Sequence, residues 1–414
     1  MQAFDIAEQM TQSVVRVGQN AKVFARHGFR WLREGRPHPA VRLRQLFEEL
    51  GATYIKMGQF IASAPSFFPV DYVEAFQDCL DKTPPLDFQI IKKVIEQELN
   101  GPLHNFFASV DPAALASASI GQVHAARTLD GQDVVIKVQK PGVETILRTD
   151  LQLVHTSALL VEKLFPQMKM ASLSAISQEM KQGMLQECDF LQEMLQLDNF
   201  RDFLHKKGIT SVTAPQPYPH LSTRKILTME RLYGVPFTDL ERVAHLTQDP
   251  EAALIEAMNA WFATLLEGHY FHADVHAGNL LVLQDGRVAF IDFGIVGQVK
   301  PATWAGVQNL VVGVSSEDFT LIAQALFEIG MTEQDINIDA FAKDIQAIFD
   351  RQSSHAQNYD KTLIEITQAA KNYGLHFPRE FALLLKQMLY FDRYVQLVSP
   401  QASFYQDARL DFLN

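Results

Sequence analysis

Residues 272–279 read His-Ala-Asp-Val-His-Ala-Gly-Asn, and residues 291–294 read Ile-Asp-Phe-Gly. Between them two short apolar runs, Leu280–Leu283 and Arg287–Ile291, flank Asp285-Gly286, a dipeptide that favours a β-hairpin. Such a hairpin brings Asn279 and Asp292 to the same end of two paired strands. Asp-Phe-Gly alone arises by chance. An Asp, an Asn five positions later, a hairpin in the gap and then Asp-Phe-Gly rarely coincide by accident.

The joint pattern is the layout of protein-kinase-like phosphotransferases, and physical chemistry accounts for each residue type. Magnesium is a hard cation that takes oxygen ligands and usually few of them from protein. Asp292 offers a carboxylate and Asn279 an uncharged amide oxygen, so negative charge does not accumulate beside phosphates. Asp274 would orient or deprotonate an incoming hydroxyl. Gly294 is expected to permit the backbone geometry after Asp292, and His276 reads as structural.

Upstream, Lys137 sits in Val134-Val135-Ile136-Lys137-Val138, a strand apolar on both sides. A lysine there is costly to bury without an anionic partner, and the kinase Val-Ala-Ile-Lys pattern supplies one as the α/β phosphates and a helix Glu. The plain alternative is an edge strand with an exposed lysine. A helix expected from about 172 to 207, closed by Gly208, carries Glu187, Asp189 and Glu193. Asp189 and Glu193 share a face of a regular helix while Glu187 points elsewhere; Lys137–Glu193 is the expected ion pair. Where a glycine-rich loop would stand, the chain has Ala116-Ser117-Ala118-Ser119-Ile120-Gly121, stiffer and bulkier, with one glycine to let backbone amides approach phosphate. Lys56 and Gln59, in Lys56-Met57-Gly58-Gln59, share a helix face among apolar neighbours and so imply a polar target elsewhere in the fold.

The rest of the chain frames these motifs. GQVHAARTL and QDVVIKVQ are strands joined through Asp130-Gly131, and Arg224–Met229 is another strand. Proline-punctuated helices precede them (Pro65, Pro69, Pro84-Pro85), and a final helix opens at Pro378. A β-rich part followed by a mostly helical part makes an α+β, two-lobed plan. With 47% hydrophobic and 20% charged residues the 414-residue chain has an ordinary globular composition, which excludes a disordered or fibrous protein. Lys+Arg 36 against Asp+Glu 48 leaves −12, which argues against nucleic acid as a partner. Residues 1–50 are nonetheless mildly basic (Arg16, Lys22, Arg26, Arg30), either a solvated helix or a contact for anionic lipid. Cys79 and Cys188 read as reduced thiols. Without a signal-peptide pattern or a long apolar run, a cytoplasmic location is expected, with any contact to the inner membrane peripheral.

In this order and over roughly residues 45 to 300, these motifs resemble the UbiB/AarF family of atypical protein-kinase-like proteins, whose members support coenzyme Q (ubiquinone) biosynthesis. The resemblance implies a two-lobed atypical protein-kinase-like fold: a helical extension over 1–103, an N-lobe over 104–232 and a mostly helical C-lobe over 233–414. It implies ATP or ADP with Mg2+ as cofactors, bound along Ala116–Gly121, by Lys137, and at a hinge matched by Met229-Glu230. Asn279 and Asp292 would hold the metal, with Lys137, Glu193 and Asp274 catalytic. It further implies that the extension covers the active-site cleft and that Lys56 and Gln59 meet Glu187 and Asp189 in a regulatory contact. Two functions follow: a phosphotransferase or ATPase supporting ubiquinone biosynthesis, or a nucleotide-gated binding protein for an isoprenoid quinone precursor, phenolic lipid or biosynthetic partner. A kinase of the aminoglycoside or choline type shares the Asp-to-Asn spacing but lacks the Lys-x-Gly-Gln and Ala-rich elements. Ser117 replaces a usual alanine, and Val275 and Ala277 replace common prolines, which bears on loop rigidity and nucleotide preference.

Overall fold

The computed structural model describes residues 38–62, 70–77, 83–164, 173–330, 336–352, 359–375 and 377–399, with 23, 26, 68, 409 and 410. Most of the basic N-terminal stretch, Pro65, Pro69 and Cys79 lie outside the described residues.

Helices α1 (Pro39–Leu50), α2 (Ala52–Ala62) and α3 (Val70–Gln77) precede a non-helical stretch, 83–87, that contains Pro84-Pro85. Asp87 then caps α4 (Phe88–Glu98), accepting the Gln89 N–H at 2.7 Å. Strands β1 (Phe107–Ser117), β2 (Gly121–Thr128) and β3 (Asp133–Gln139) follow, then α5 (Val143–Leu164), α6 (Leu173–Gln186) and α7 (Phe190–Lys207). Next come β4 (Val212–Thr213), β5 (Ile226–Glu230), β6 (Gly234–Pro236), α8 (Leu240–Val243), α9 (Pro250–Gly268) and β7 (Tyr270–His272). The chain continues through β8 (Leu280–Leu283), β9 (Val288–Phe290), β10 (Val296–Gln298), α10 (Pro301–Ser315) and α11 (Phe319–Ile329). It closes with α12 (Ile338–Gln352), α13 (Tyr359–Asn372) and α14 (Arg379–Val398). The architecture is α+β. By packing it divides into one unit of Met1–Ala62, Phe67–Met194 and Pro217–Arg231, and a second of Ser63–Ser66, Leu195–Gln216 and Leu232–Asn414.

The first unit is built on an antiparallel sheet in the order β1-β2-β3-β5. The β2–β3 turn is made at Gly131, whose φ of 89° a side chain would resist and whose N–H reaches Thr128 O at 3.0 Å. Val134, Ile136 and Val138 of β3 are fully buried against Ile91 and Ile95 of α4, Phe107 of β1 and Ile226 of β5. Strand β1 is not among those the sequence pattern marks, for it is largely exposed, contains Pro112 and slips register against β2. The single helix expected over about 172–207 is two helices, parted at Glu187–Asp189. Gly208, at φ 68°, closes the second: its N–H meets His205 O at 3.1 Å and Ile209 N–H meets Leu204 O at 3.0 Å.

In the second unit the Asp285-Gly286 turn, with Gly286 at φ 83°, joins β8 to β9. The hairpin is flanked by β6 and by a parallel β4, and β7 pairs separately with β10. Asp249 caps α9 through the Ala252 N–H at 2.9 Å, with Pro250 at the first helical position. Trp261 of α9 is fully buried, its ring 5.6 Å from Phe271 and 5.3 Å from Phe391 of α14. Among the described residues no helix is long and apolar enough to cross a membrane.

Ile136 has neighbours on every side, so Ile136→Ala should lower stability by about 2–5 kcal/mol in urea unfolding. Leu129→Ala, at a hairpin position 62% exposed, should stay within about 0.5 kcal/mol of the parent.

Candidate active site

In the first unit a buried acid meets a lysine on the central strand. Lys137 Nζ donates to both Glu193 oxygens at 2.9 Å, and the Glu193 side chain is only 3% exposed. Glu193 stands at the start of α7 because the preceding helix stops. The Asp189 carboxylate caps α7 by accepting the Leu191 N–H at 3.2 Å, and the Phe190 N–H bonds to Arg224 O at 3.0 Å. The Cys188 carbonyl at the break accepts from Gln139 of β3. Lys56 of α2 reaches the same break and pairs with Glu187 at 2.5 Å. Asp189 faces Arg224 at 3.5 Å. The resemblance groups both acids with Lys56 and Gln59; Lys56 does meet Glu187, and Asp189 also has Arg224 beside it.

Of the Ala-rich segment, Ala116 and Ser117 belong to β1 and Gly121 to β2, leaving Ala118, Ser119 and Ile120 as the turn. The turn is fastened. Ala118 N–H bonds to Gly121 O at 2.9 Å, Lys140 N–H to Ile120 O at 2.9 Å, and the Thr83 hydroxyl to Ala118 O at 2.7 Å. Lys140 Nζ in turn donates to Thr83 Oγ1 at 2.6 Å. Gly121 is demanded by the sheet, since a Cβ there would lie 2.7 Å from Val138 O. Glu230 ends β5, opposite Val134.

In the second unit, β8 and β9 place Asn279 and Asp292 side by side at one end of the hairpin, with the Ile291 N–H on Asn279 O at 2.9 Å. Asn279 Nδ2 donates to Asp274 O at 3.0 Å, which turns Oδ1 of the same amide the other way. Asp292 itself takes the left-handed backbone at φ 66°, and its Oδ1 accepts the Gly294 N–H at 3.2 Å. Strain of this kind collects at functional sites. The expectation that Gly294 carries the special backbone geometry is corrected: Gly294 is not among the described residues with positive φ, because the left-handed turn falls two residues earlier.

Asp274 is held on two sides. Lys386 Nζ of α14 lies 3.2 Å from Oδ1, and His276 Nε2 lies 3.6 Å from Oδ2. Burial pushes the Asp274 carboxyl up, but the charge and hydrogen bond of Lys386 outweigh it and hold the group below the ordinary carboxylate value. It is therefore an anion ready to accept a hydrogen bond from a hydroxyl. His276 also accepts the Gly278 N–H on Nδ1 at 3.0 Å. His272 is buried, accepts the Asp274 N–H on Nδ1 at 3.2 Å, and packs 4.6 Å from Phe293. Burial pulls its pKa below the ordinary value despite Asp274 and Asp292 nearby, so it stays a neutral ring. Phe200 completes the stack, 5.0 Å from Phe293.

Of the residues named from the sequence, the structure joins Lys137 to Glu193 and Asn279 to the Asp274 carbonyl, with Asp292 at the end of the same hairpin, and it joins Lys56 to Glu187 as the resemblance implies. Sequence reasoning misses His272 as a support, Thr83 and Lys140 as ties on the Ala-rich turn, and Lys386, Gln387 and Tyr394 on α14. The signal for the last set was a Lys-Gln pair interrupting Leu383-Leu384-Leu385 and Met388, since a buried polar residue in an apolar run must find partners.

The model of the ABC1 atypical kinase-like domain matches residues 78–326. An uncharacterized aarF domain-containing protein kinase of Arabidopsis thaliana, described as chloroplastic, is 44% identical over 396 residues, covering 89% of this chain and 73% of that relative. A probable protein kinase UbiB of Haemophilus ducreyi is 29% identical over 399 residues, 93% of this chain and 73% of that one. The solved complex of Rv3197 with erythromycin, from Mycobacterium tuberculosis, aligns at a TM-score of 0.57 and 20% identity over 96% of this chain and 95% of that one. At that identity the likeness speaks for the fold.

Removing Lys137 leaves the buried Glu193 carboxylate without that cation, so Lys137→Met should cost about 3–5 kcal/mol in urea unfolding, and adding Glu193→Leu should recover most of it. Burial, with Glu187 and Glu144 close by, pushes the Cys188 thiol up to about 12. In a Cys79→Ser background, iodoacetamide should label Cys188 only at the rate of unfolding at pH 8, and still so at about pH 9.5, because the native thiol stays protonated.

Proposed function

We propose that this chain, which belongs to the ABC1 atypical kinase-like family, is an ATP- and magnesium-dependent phosphotransferase or ATPase. The observation that carries this reading is one constellation in the second unit. Asp274 has a fixed carboxylate, Asn279 is tied to its carbonyl, and Asp292 stands in a strained backbone beside Asn279.

In this reading Lys137, oriented by Glu193, takes the α- and β-phosphates. Residues 116–121 border the nucleotide, and Glu230 with Met229 lies at the adenine. Asn279 and Asp292 hold magnesium, which when bound neutralises charge on the phosphate oxygens. The donor set fits that ion. Among the described residues no group of three or more His, Cys, Asp or Glu is placed to hold a metal, and magnesium is commonly held by one or two carboxylates with phosphates and water completing the shell. Asp274 accepts the proton of the attacking water or hydroxyl as the new oxygen–phosphorus bond forms and the bond to ADP breaks. Positioning and charge stabilisation supply most of the rate in this class. Lys56, Gln59, Glu187 and Asp189 form the regulatory part, in which the Lys56–Glu187 pair fastens α2 to the break before α7.

The motif resemblance adds a place in ubiquinone biosynthesis, where the accepting hydroxyl would belong to a small or lipid-linked molecule. A binding protein for isoprenoid lipid with little catalysis is the weaker alternative. An apolar cavity among the second unit's helices, lined by Phe262, Leu310, Leu326, Phe381 and Leu384, has a volume of about 70 Å³. That is under half the roughly 150 Å³ that accepts one benzene; a second, more polar cavity at Asn199, Phe203, Tyr270 and Trp304 has about 660 Å³.

Asp292→Asn should abolish the magnesium-dependent part of nucleotide binding, read by titrating a fluorescent ADP analogue with and without the metal. Equal affinity for parent and variant would count against the reading. Loss of the gene should leave a quinone precursor accumulating in a mass-spectrometric inventory of intermediates; an unaltered inventory would remove the ubiquinone link while leaving the nucleotide chemistry standing.

A further inference from the structure

The candidate catalytic loop is gripped by one helix from beyond the stretch that the family model matches, which ends at residue 326. Gln387 of α14 is fully buried, and its side-chain amide is used on both sides of Asp274. Its Oε1 accepts the Val275 N–H at 2.8 Å; its Nε2 donates to Ala273 O at 2.8 Å and to Leu383 O at 3.0 Å. Tyr394, two turns along the same face, donates its hydroxyl to Val275 O at 2.7 Å. Lys386, on the neighbouring face, lies against Asp274 Oδ1 and over the Tyr390 ring, with Nζ 5.5 Å from the ring centre. A buried glutamine is costly unless its donors and acceptor are matched. Here they are matched to the two peptide groups that set where Asp274 points.

We infer that α14 supplies the positioning residues of this site: Lys386 fixes the Asp274 carboxylate and Gln387 fixes its backbone, from 112 residues downstream. This rests on reading Asp274 as the group that handles the nucleophile. Lys386 acts through Asp274 and makes no separate contribution to gripping nucleotide, which is the task of Lys137. The carboxylate is anchored at Oδ1 by the Lys386 hydrogen bond, while His276 Nε2 stands 3.6 Å from Oδ2. A displacement of about 1 Å at a reacting group costs about 10²-fold in rate.

The test is made on the full chain with two readouts. Lys386→Met should lower kcat for ATP turnover about 10²-fold with KM for ATP within about threefold, and Lys386→Arg should recover most of the loss. In an Asp274→Asn background, Lys386→Met should bring no further loss, because the group it positions is gone. Independently of turnover, amide hydrogen exchange at Val275 should speed up in Gln387→Leu; Tyr394→Phe, which removes a single hydrogen bond, takes its place if that variant does not fold. Wild-type kcat in Lys386→Met, losses that add in full with Asp274→Asn, or unchanged Val275 exchange would each overturn the inference. If the parent protein shows no ATP turnover, the phosphotransferase reading fails, while the exchange at Val275 still decides whether α14 holds the loop.

Discussion

A helix that stops inside a packed unit leaves carbonyls and amides that must be paired, and the stop at Glu187–Asp189 is the constraint around which the first unit is arranged. Each group there has its partner from a different element: Gln139 of β3 on the Cys188 carbonyl, Arg224 O on the Phe190 N–H, and Lys56 of α2 on the Glu187 carboxylate. Because α7 starts afresh at Phe190 with Asp189 as its cap, Glu193 lands in the first turn, where it meets Lys137. An uninterrupted helix would have put these acids in a different rotational relation. The ion pair is thus a consequence of the break, and α2 is tied to the same break through Glu187.

The second unit solves a related problem with other means. The short loop after β7 has no ladder of its own, so its geometry is borrowed: the His272 ring set against Phe293 and Phe290, the Asn279 amide on the Asp274 carbonyl, and the α14 contacts. A loop held this firmly can impose an unfavourable backbone conformation on Asp292, since strain of about 1–3 kcal/mol persists only where the surroundings over-determine it.

How much of this was legible in the sequence follows from the range of the interactions involved. The hairpins at Asp130-Gly131 and Asp285-Gly286 are local and could be read directly, as could the proline before α14 and the glycine after α7. The acids and amides of the site could be named because their spacing is itself the signal. Strand β1 was hidden because an Ala- and Ser-rich edge strand with a proline has almost no β propensity to show. The division between α6 and α7 was hidden because nothing in Gln186–Phe190 breaks a helix by itself; partners far along the chain do. Gln387 and Lys386 were hidden behind the apolar residues around them, which set the helix period and left the two polar positions looking incidental.

The same pairings bear on how a nucleotide would be received. Lys137 faces Glu193, Lys56 faces Glu187 and Lys386 faces Asp274, so each lysine of the candidate machinery already has a carboxylate against it. Such pairs present little net charge. In a chain of net charge −12 they offer no strong field to draw in an anion from a distance. Affinity for phosphates would then depend on magnesium arriving with them and on short-range geometry at Asn279 and Asp292. The fastened Ala-rich turn works in the same direction, because a backbone amide such as that of Ala118, already bonded to Gly121 O, is committed within the turn and is not offered to phosphate as a flexible glycine-rich loop would offer it. On the proposed reading, selectivity would rest on Asn279 and Asp292 at the end of the hairpin and on the aim of the Asp274 carboxylate, more than on a glycine-rich grip on phosphates.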